Sequence, residues 1–330
     1  REKGKGQKMK LDKVDELAPL APVVMIAFNR ADHFKETLDA LCQNPEAKHT
    51  PVYVCIDGWR SQADKDQQAL IHSHAESCAA QFASLEICQA ETNLGLAKNI
   101  TGSVTRVVNQ HGKIIVLEDD IVVSRGFLKF MNDALNYYQD KPEVWHIAAH
   151  TEVNQEDRPN DVFLWRLMNC WGWATWKDRW QHFEKDPKDL RRQFSKADVK
   201  AFDFGSASVF WSQVVANDEG LINTWAIFWY ATIFKNAGLC VNPWFSYAMN
   251  IGFDGSGEHC SEDEERTTSQ PLNHDGVFTP QDILSEDPEA VTILGAHYRG
   301  RLSVKSIAIR VIRALLGEKG IAYAKKLRRG

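Results

Sequence analysis

The sequence predicts an α/β fold, a mostly parallel sheet flanked by helices, and three observations predict it. Apolar runs of strand length recur at residues 22–28, 52–56 and 114–117. Stretches with helical spacing of apolar residues lie between them, and polar or acidic residues follow each run directly. Strands buried on both faces read as continuous apolar runs, and their alternation with helices is the pattern of a parallel sheet.

Residues 1–18 are polar and read as a flexible tail. The run PVVMIAF (22–28) is a buried strand, followed by Asn29-Arg30-Ala31-Asp32 and a helix presenting Phe34, Leu38 and Leu41. A second strand at 52–56 ends in Asp57-Gly58, a long helix is expected over 64–82, and a short strand over 85–88. Asn93-Leu94-Gly95-Leu96-Ala97-Lys98-Asn99 opens the next helix, which Gly112 stops. That helix delivers the chain to Lys113-Ile114-Ile115-Val116-Leu117-Glu118-Asp119-Asp120-Ile121, around which the rest is organised.

Three consecutive carboxylates at the end of a buried strand repel one another and raise one another's pKa values. A bound cation removes that conflict, and Mg²⁺ or Mn²⁺ is held by carboxylates together with substrate phosphates. An acidic turn is the other reading of such a triplet. In a sheet of this kind ligands bind beyond the carboxyl ends of the strands, where Asn29, Arg30, Asp57, Asn93 and Glu118–Asp120 all fall. The first turn has no G-x-G-x-x-G, which argues against a dinucleotide, and no G-x-x-x-x-G-K-[S/T] occurs anywhere, which argues against a P-loop. A nucleotide held through a metal on carboxylates stays open.

Composition bounds the partners. At 330 residues, 44% hydrophobic and 25% charged, the chain is an ordinary globular one. Its net charge of −5 divides into +4 over residues 1–10, +9 over 296–330 and −18 between them. Basic tails on an acidic body do not suit a nucleic-acid binder. Seven cysteines without a C-x-x-C pair suit reduced thiols. No run of about 18 apolar residues and no signal-peptide pattern occurs, so a cytoplasmic location is expected. Residues 303–317 place Val304, Ile307, Val311, Ile312 and Leu315 at helical spacing among Lys305, Arg310 and Arg313. Such a basic amphipathic helix either lies on the inner membrane face or packs back on the body.

Beyond a helix at 127–138, which Pro142 ends, and a strand at 144–148, the composition changes. Most of the eleven tryptophans fall between Trp165 and Trp244, including Trp171-Gly172-Trp173-Ala174-Thr175-Trp176. Most of these indoles belong to a core; Trp171 and Trp173 are the candidates for stacking on a sugar ring. A helix over 221–236, stopped by Gly238, leads to a strand over 239–244. The stretch Asn250-Ile251-Gly252-Phe253-Asp254-Gly255-Ser256-Gly257-Glu258-His259-Cys260 then reads either as a loop that closes over a phosphate-bearing ligand or as a surface loop. The domain organisation expected is a tail (1–18), a nucleotide-sugar half (19–150), an acceptor half (151–295) and a basic helical tail (296–330).

E-D-D after a buried strand, N-L-G-L-A-K-N before it and F-N-R after the first strand resemble a GT-A fold glycosyltransferase. In order and spacing, V-L-E-D-D-I-V-V-S-R-G-F-L-K-F, P-E-V-W-H-I-A-A, C-W-G-W-A-T-W-K-D-R-W and G-F-D-G-S-G-E-H-C resemble the N-acetylglucosaminyltransferase I family and its bacterial relatives over residues 22–260. The resemblance implies a Rossmann-like GT-A fold with Asp120 as direct Mn²⁺ or Mg²⁺ ligand and His259 as a further one. It places Glu118 and Asp119 toward the ribose and donor sugar, with Asn29, Arg30, Asp57, Asn93 and Lys98 around the nucleotide. The loop from Asp254 through Gly255 and Ser256 would close over the diphosphate.

In the eukaryotic members of that family the base is an Asp beside a tryptophan, in the segment corresponding to residues 223–229, which here holds no carboxylate. An inverting transfer needs a base within reach of the acceptor hydroxyl; Asp254, Glu219 and Asp218 are the candidates, in that order. The expectation is a metal-dependent transferase moving a sugar from a UDP-sugar, UDP-GlcNAc among the options, to a hydroxyl of a bacterial surface glycan or its lipid-linked precursor. A nucleotidyltransferase and a glycan- or nucleotide-sugar-binding protein without turnover are the rivals.

Overall fold

The computed structural model describes residues 19–155, 158, 161–253 and 270–300. It is a mixed α/β structure built on one eight-stranded sheet. The first strand, β1 (Val23–Ala27), has all five residues buried, and full burial of such side chains contributes about 1.5–3 kcal/mol each. Its neighbours are β2 (Pro51–Ile56) and β4 (Lys113–Glu118), both parallel to it, with β3 (Ser84–Gln89) parallel to β2 at the edge. The sheet continues past β4 through β8 (Trp173–Trp176), β6 (Val144–Ala148), β9 (Leu239–Pro243) and β7 (Val162–Trp165), giving the order 3-2-1-4-8-6-9-7. β8 and β7 run against their neighbours, while β6 and β9 are parallel.

Pleating sends alternate side chains to opposite faces. Val23, Met25 and Ala27 join a core layer with Phe34, Leu38 and Leu41 of α1 (Ala31–Cys42), with α2 (Gln62–Cys78) and, on the far side of β4, with α4 (Phe127–Tyr138). Val24 and Ile26 join the other layer, with Ile100, Val104 and Val107 of α3 (Leu96–His111), α5 (Lys177–Trp180) and α9 (Ala226–Lys235). The short helices α6 (Pro187–Gln193), α7 (Lys196–Phe202) and α8 (Trp211–Asp218) and the later α10 (Pro288–Gly300) complete that side. A small antiparallel pair, β5 (Ile121–Val123) with β10 (Ala248–Asn250), stands beyond the end of β4.

The strand order places a switch point at β1: the chain moves outward through β2 and β3, then returns to add β4 on the other side. A crevice opens at the carboxyl ends of strands at such a point.

Several boundaries differ from expectation. The helix expected over 64–82 is α2 followed by a 3₁₀ turn at Ala79–Gln81, and Ser61 caps it, its side chain accepting from Asp64 N–H at 3.2 Å. The helix expected over 221–236 starts only at Ala226. Strands β5, β7, β8 and β10 are absent from the sequence reading. The expected tails at 1–18 and 303–317 lie outside the described residues, and residue 296 falls inside α10. No helix among the described residues is long and apolar enough to cross a membrane.

Candidate active site

A cleft of about 590 Å³ opens at the switch point. Its floor comes from the segments that leave β1, β2 and β4, and its far wall from Trp171 and from Thr224, Trp225 and Ala226 at the start of α9. Asn29, Arg30, Asp57, Asn93, Glu118, Asp119 and Asp120 all line it. These are the residues that each strand delivers as its apolar run ends, so the sheet itself gathers them.

Glu118 ends β4, and Asp119 and Asp120 form the tight turn to β5. Ile251 N–H donates to Asp120 O at 2.9 Å, the Thr37 hydroxyl to Asp119 O at 2.9 Å, and β5 pairs with β10, so the turn is held from three directions. Arg30 forks across the two aspartates: one nitrogen donates to Asp119 and the other to Asp120 Oδ2, the latter at 2.8 Å. Burial alone would lower the Arg30 pKa, yet Asp119 and Asp120 raise it above the ordinary arginine value. Gly252 lies against this ion pair so closely that a Cβ there would fall 2.4 Å from Asp120 Oδ2 and 3.0 Å from an Arg30 nitrogen. Only glycine fits without moving the carboxylate.

One arginine does not neutralise three carboxylates. Burial, with the charges of Asp120 and Asp119, pushes Glu118 up to about 8. Burial and Asp120 push Asp119 up to about 6, against the pull of Arg30. Asp120 Oδ1 is buried and has no hydrogen-bond partner among the described residues. An orphaned buried oxygen is expensive unless something meets it. Hard divalent cations are held by oxygens of this kind, so the residues present fit a Mg²⁺ or Mn²⁺ ion, with Asp120 as the oxygen left to bind it and Glu118 and Asp119 beside it.

Asp57 has another task. Its Oδ1 accepts from the N–H groups of Gly58 at 2.8 Å and Leu94 at 2.7 Å, and its Oδ2 from Gly95 N–H at 2.9 Å and the Asn93 amide at 3.1 Å. Its carboxylate therefore clamps the loop that starts α3, and the rim of the cleft follows from that clamp. Asn29 is tied in the same way, donating to Asp64 at 2.6 Å near the start of α2, where Arg60 stacks over Phe28 at 4.5 Å. Arg60, Asn99, Gln213, Thr224 and Asn250 also line the cleft and were not named as site residues from the sequence; Asn99 and Asn250 belong to stretches quoted above, whereas Arg60 and Gln213 are isolated polar residues with no pattern to mark them.

The two tryptophan candidates separate. Trp171 is half-buried, lines the cleft and packs between His150, at 4.5 Å, and Phe253, at 5.6 Å. A buried chain sets its position: Trp229 Nε1–H donates to His146 Nδ1 at 3.2 Å, His146 Nε2–H to Asn169 O at 3.0 Å, and Trp171 N–H to Asn169 Oδ1 at 2.8 Å. Burial lowers the pKa of His146 to about 3, which keeps it neutral and able to play both parts. Trp173, by contrast, is fully enclosed in β8, stacked on Trp225 at 5.2 Å and on His146 at 5.5 Å, and does not reach the cleft. Trp171 lies before β8, and Gly172, with φ of 72°, turns the chain between the two tryptophans, so they do not follow one strand's alternation.

Lys98 is exposed on α3 outside the cleft lining. Asp218, at the end of α8, is bound to Arg191 at 2.5 Å, and its neighbour Glu219 is exposed; neither lines the cleft. Their proximity in sequence to Trp225 does not bring them to the cleft lining. Asp254, Gly255, Ser256 and His259 lie outside the described residues.

No family profile matches the chain, and no curated protein matches it in sequence. Comparison with solved structures finds similarity to glycosyltransferases. The mannosyltransferase PcManGT from Pyrobaculum calidifontis, solved with GDP-Man and Mn²⁺, is 10% identical with a TM-score of 0.39, over 67% of this chain and 70% of that one. TarS from S. aureus, solved with UDP-GlcNAc, is 13% identical with a TM-score of 0.36, over 69% of this chain and 58% of that one. The galactosyltransferase LgtC, solved with donor and acceptor sugar analogues, is 12% identical with a TM-score of 0.34, over 84% of this chain and 95% of that one. These overall similarities are low.

Proposed function

We propose that the cleft is the active site of a metal-dependent glycosyltransferase that takes its sugar from a nucleoside-diphosphate sugar. The observation that carries this reading is the floor at the switch point: three carboxylates under one arginine, with Asp120 Oδ1 buried and unpartnered among the described residues. A diphosphate could not approach that floor alone, and the sequence has no G-x-x-x-x-G-K-[S/T] loop to cradle it. A divalent cation, when bound, would neutralise the charge that develops on the diphosphate leaving group.

The chain's own residues supply the rest. Arg30 fixes the Asp119 and Asp120 carboxylates in one orientation, so that little reorganisation accompanies charge development. The Asp57 clamp shapes the nucleoside side of the cleft through residues 93–95. Trp171, its backbone held by Asn169 and its ring packed against His150 and Phe253, offers an apolar surface to a sugar ring. The general base is Asp254, two residues beyond Gly252 in sequence, since neither Asp218 nor Glu219 lines the cleft. Following the sequence resemblance, the donor is a UDP-sugar such as UDP-GlcNAc, and the acceptor is a hydroxyl of a bacterial surface glycan or its lipid-linked precursor. In this reading His259 adds a metal ligand, and the basic 303–317 segment holds the enzyme at the cytoplasmic membrane face.

The test is a screen of nucleotide sugars, with and without Mn²⁺, read by thermal stabilisation and by nucleotide release. Ligand that binds only the native state raises its stability by mass action. Stabilisation with release of the nucleoside diphosphate supports the transferase. Pyrophosphate released from a nucleoside triphosphate would replace it with a nucleotidyltransferase, and stabilisation without any release would replace it with a binding protein.

A further inference from the structure

Away from the cleft, α1 and α2 bring together a second set of metal-ligand side chains. Asp39 and Cys42 lie three residues apart in the last turn of α1, and His74 and Cys78 lie four apart in the last turns of α2. Those spacings put each pair on one helix face. His74 Nε2 is 2.8 Å from Asp39 Oδ1 and 3.7 Å from Cys78 Sγ, and one ligand atom from each of Asp39, His74 and Cys78 lies within 4.8 Å of the others. Cys42 stands beside this trio, outside the 4.8 Å group, with the charge of the Cys78 thiol, after burial, raising its pKa. Cys78 is buried, and the other three are partly covered. Lys35 holds Asp39 Oδ2 at 2.5 Å, which leaves Oδ1 directed at the histidine.

We propose that Asp39, His74 and Cys78 form the core of a structural site for a borderline-soft divalent metal of the zinc class, which staples α1 to α2 and draws in Cys42, three residues beyond Asp39, as the fourth ligand. The donor set is two thiolates, one imidazole and one carboxylate. That set favours zinc over magnesium or manganese, which prefer oxygen alone. Tetrahedral zinc with Zn–S of about 2.3 Å and Zn–N of about 2.0–2.1 Å implies a sulfur–nitrogen edge of about 3.6 Å and a nitrogen–oxygen edge of about 3.3 Å. The 3.7 Å separation of Cys78 and His74 already matches the first, and the His74–Asp39 pair needs to open by about half an ångström.

Such a site would act on the cleft from behind. Arg30 immediately precedes α1, and Asp64, which holds Asn29, sits in the first turn of α2. Asp39 lies nine residues along α1 from Arg30, about 13 Å at 1.5 Å per residue. Locking the two helices at these ends fixes the spacing of the residues at the others. A closed site with four protein ligands contributes folding free energy directly and releases thiol protons as it fills.

The experiment is a titration of chelator-treated, reduced full-length protein with Co²⁺, followed by absorption and by thermal unfolding. One equivalent should produce the visible bands of tetrahedral cobalt and the near-ultraviolet thiolate-to-cobalt charge-transfer band. Zn²⁺ should bleach both and raise the unfolding temperature. Cys42→Ser should reduce the charge-transfer intensity by about half, the Cys42→Ser/Cys78→Ser pair should abolish it, and His74→Ala should weaken binding at least about 10-fold. Asp120→Asn should leave the bands unchanged, which separates this site from the cleft. No charge-transfer band in folded wild-type protein, a band that survives the double cysteine change, or a band lost with Asp120→Asn would each overturn the proposal. Because the wild-type titration alone can overturn it, a cysteine variant that does not fold does not shield it.

Discussion

The two walls of the cleft are built by opposite strategies. On the side of β1, β2 and β4, polar groups sit at the ends of buried strands and hold one another: Arg30 on Asp119 and Asp120, Asp57 on residues 93–95, Asn29 on Asp64. On the side of β8 and α9, shape comes from stacked indoles and phenyl rings: Trp173, Trp180, Trp225 and Trp229 pack ring against ring, and Trp171, with one side of Trp225, lines the cleft. The lesson is that the first wall is tuned for charge and the second for rigidity. Mutations should therefore separate into losses of binding and losses of stability.

The largest effect expected is on the aromatic side. Trp173→Ala should destabilise the fold by about 3–5 kcal/mol, the usual range for emptying a fully buried tryptophan site, as read by urea unfolding. In the fraction that stays folded, nucleotide-sugar affinity should change little. Trp171→Ala should do the reverse, with a small change in stability and a clear loss of transfer rate. If both variants lose stability equally, the contrast between the two walls is wrong.

On the polar side, Asp57→Asn removes a charge to which three backbone N–H groups donate. Hydrogen bonds to charged groups are worth about 1.5–3 kcal/mol, so a loss of that order is expected, together with faster amide exchange at residues 93–95. Gly252→Ala should shift the Asp120 carboxylate at an overpacking cost of about 1–3 kcal/mol, and should weaken divalent-metal binding more than it weakens the fold. A metal titration beside an unfolding curve distinguishes the two effects.

The smallest effect is a pH dependence. Glu118 and Asp119 have folded-state pKa values raised to about 8 and about 6, above the ordinary carboxylate values near 4. A carboxyl group with a raised pKa contributes stability that is fully present below its unfolded value and is lost as pH rises through the folded one. The ligand-free protein should thus lose stability from about pH 4 to pH 8, and Glu118→Gln should flatten the upper part of that loss. Metal competes with protons for the same oxygens, so Mn²⁺ affinity should rise across the same window. A Mn²⁺ affinity that is flat between pH 5 and pH 8 would count against the triplet as its seat.

The parts of this arrangement that sequence reveals are those that local chemistry dictates. The runs 22–28, 52–56 and 114–117 are apolar because both faces of those strands are covered, and Gly112 ends α3 because only glycine readily takes φ of 79° there. The residues that follow such strands must face the crevice, so Asn29, Arg30, Asp57, Asn93 and the acidic triplet were legible as one group. What was not legible depends on contacts between distant segments. Nothing in W-A-T-W announces an antiparallel strand inserted between β4 and β6, and strands as short as β5 and β10 leave no periodicity. The division of labour between Trp171 and Trp173 also required knowing that β8 begins at Trp173 and that Gly172, at φ of 72°, turns the chain just before it. Asp218 and Glu219 were reached by nearness in sequence, and neither lines the cleft.

The measurement that tests the central claim most directly is Mn²⁺ binding, followed by electron paramagnetic resonance with and without a nucleotide sugar, in the wild type and in Asp120→Asn. The account predicts one tightly held Mn²⁺ per chain in the wild type, with affinity increased by the donor. It predicts at least about a 10-fold loss in the variant with the fold retained. Equal Mn²⁺ affinity in the two proteins, or none in either with the donor present, would contradict it and leave the triplet as an acidic turn.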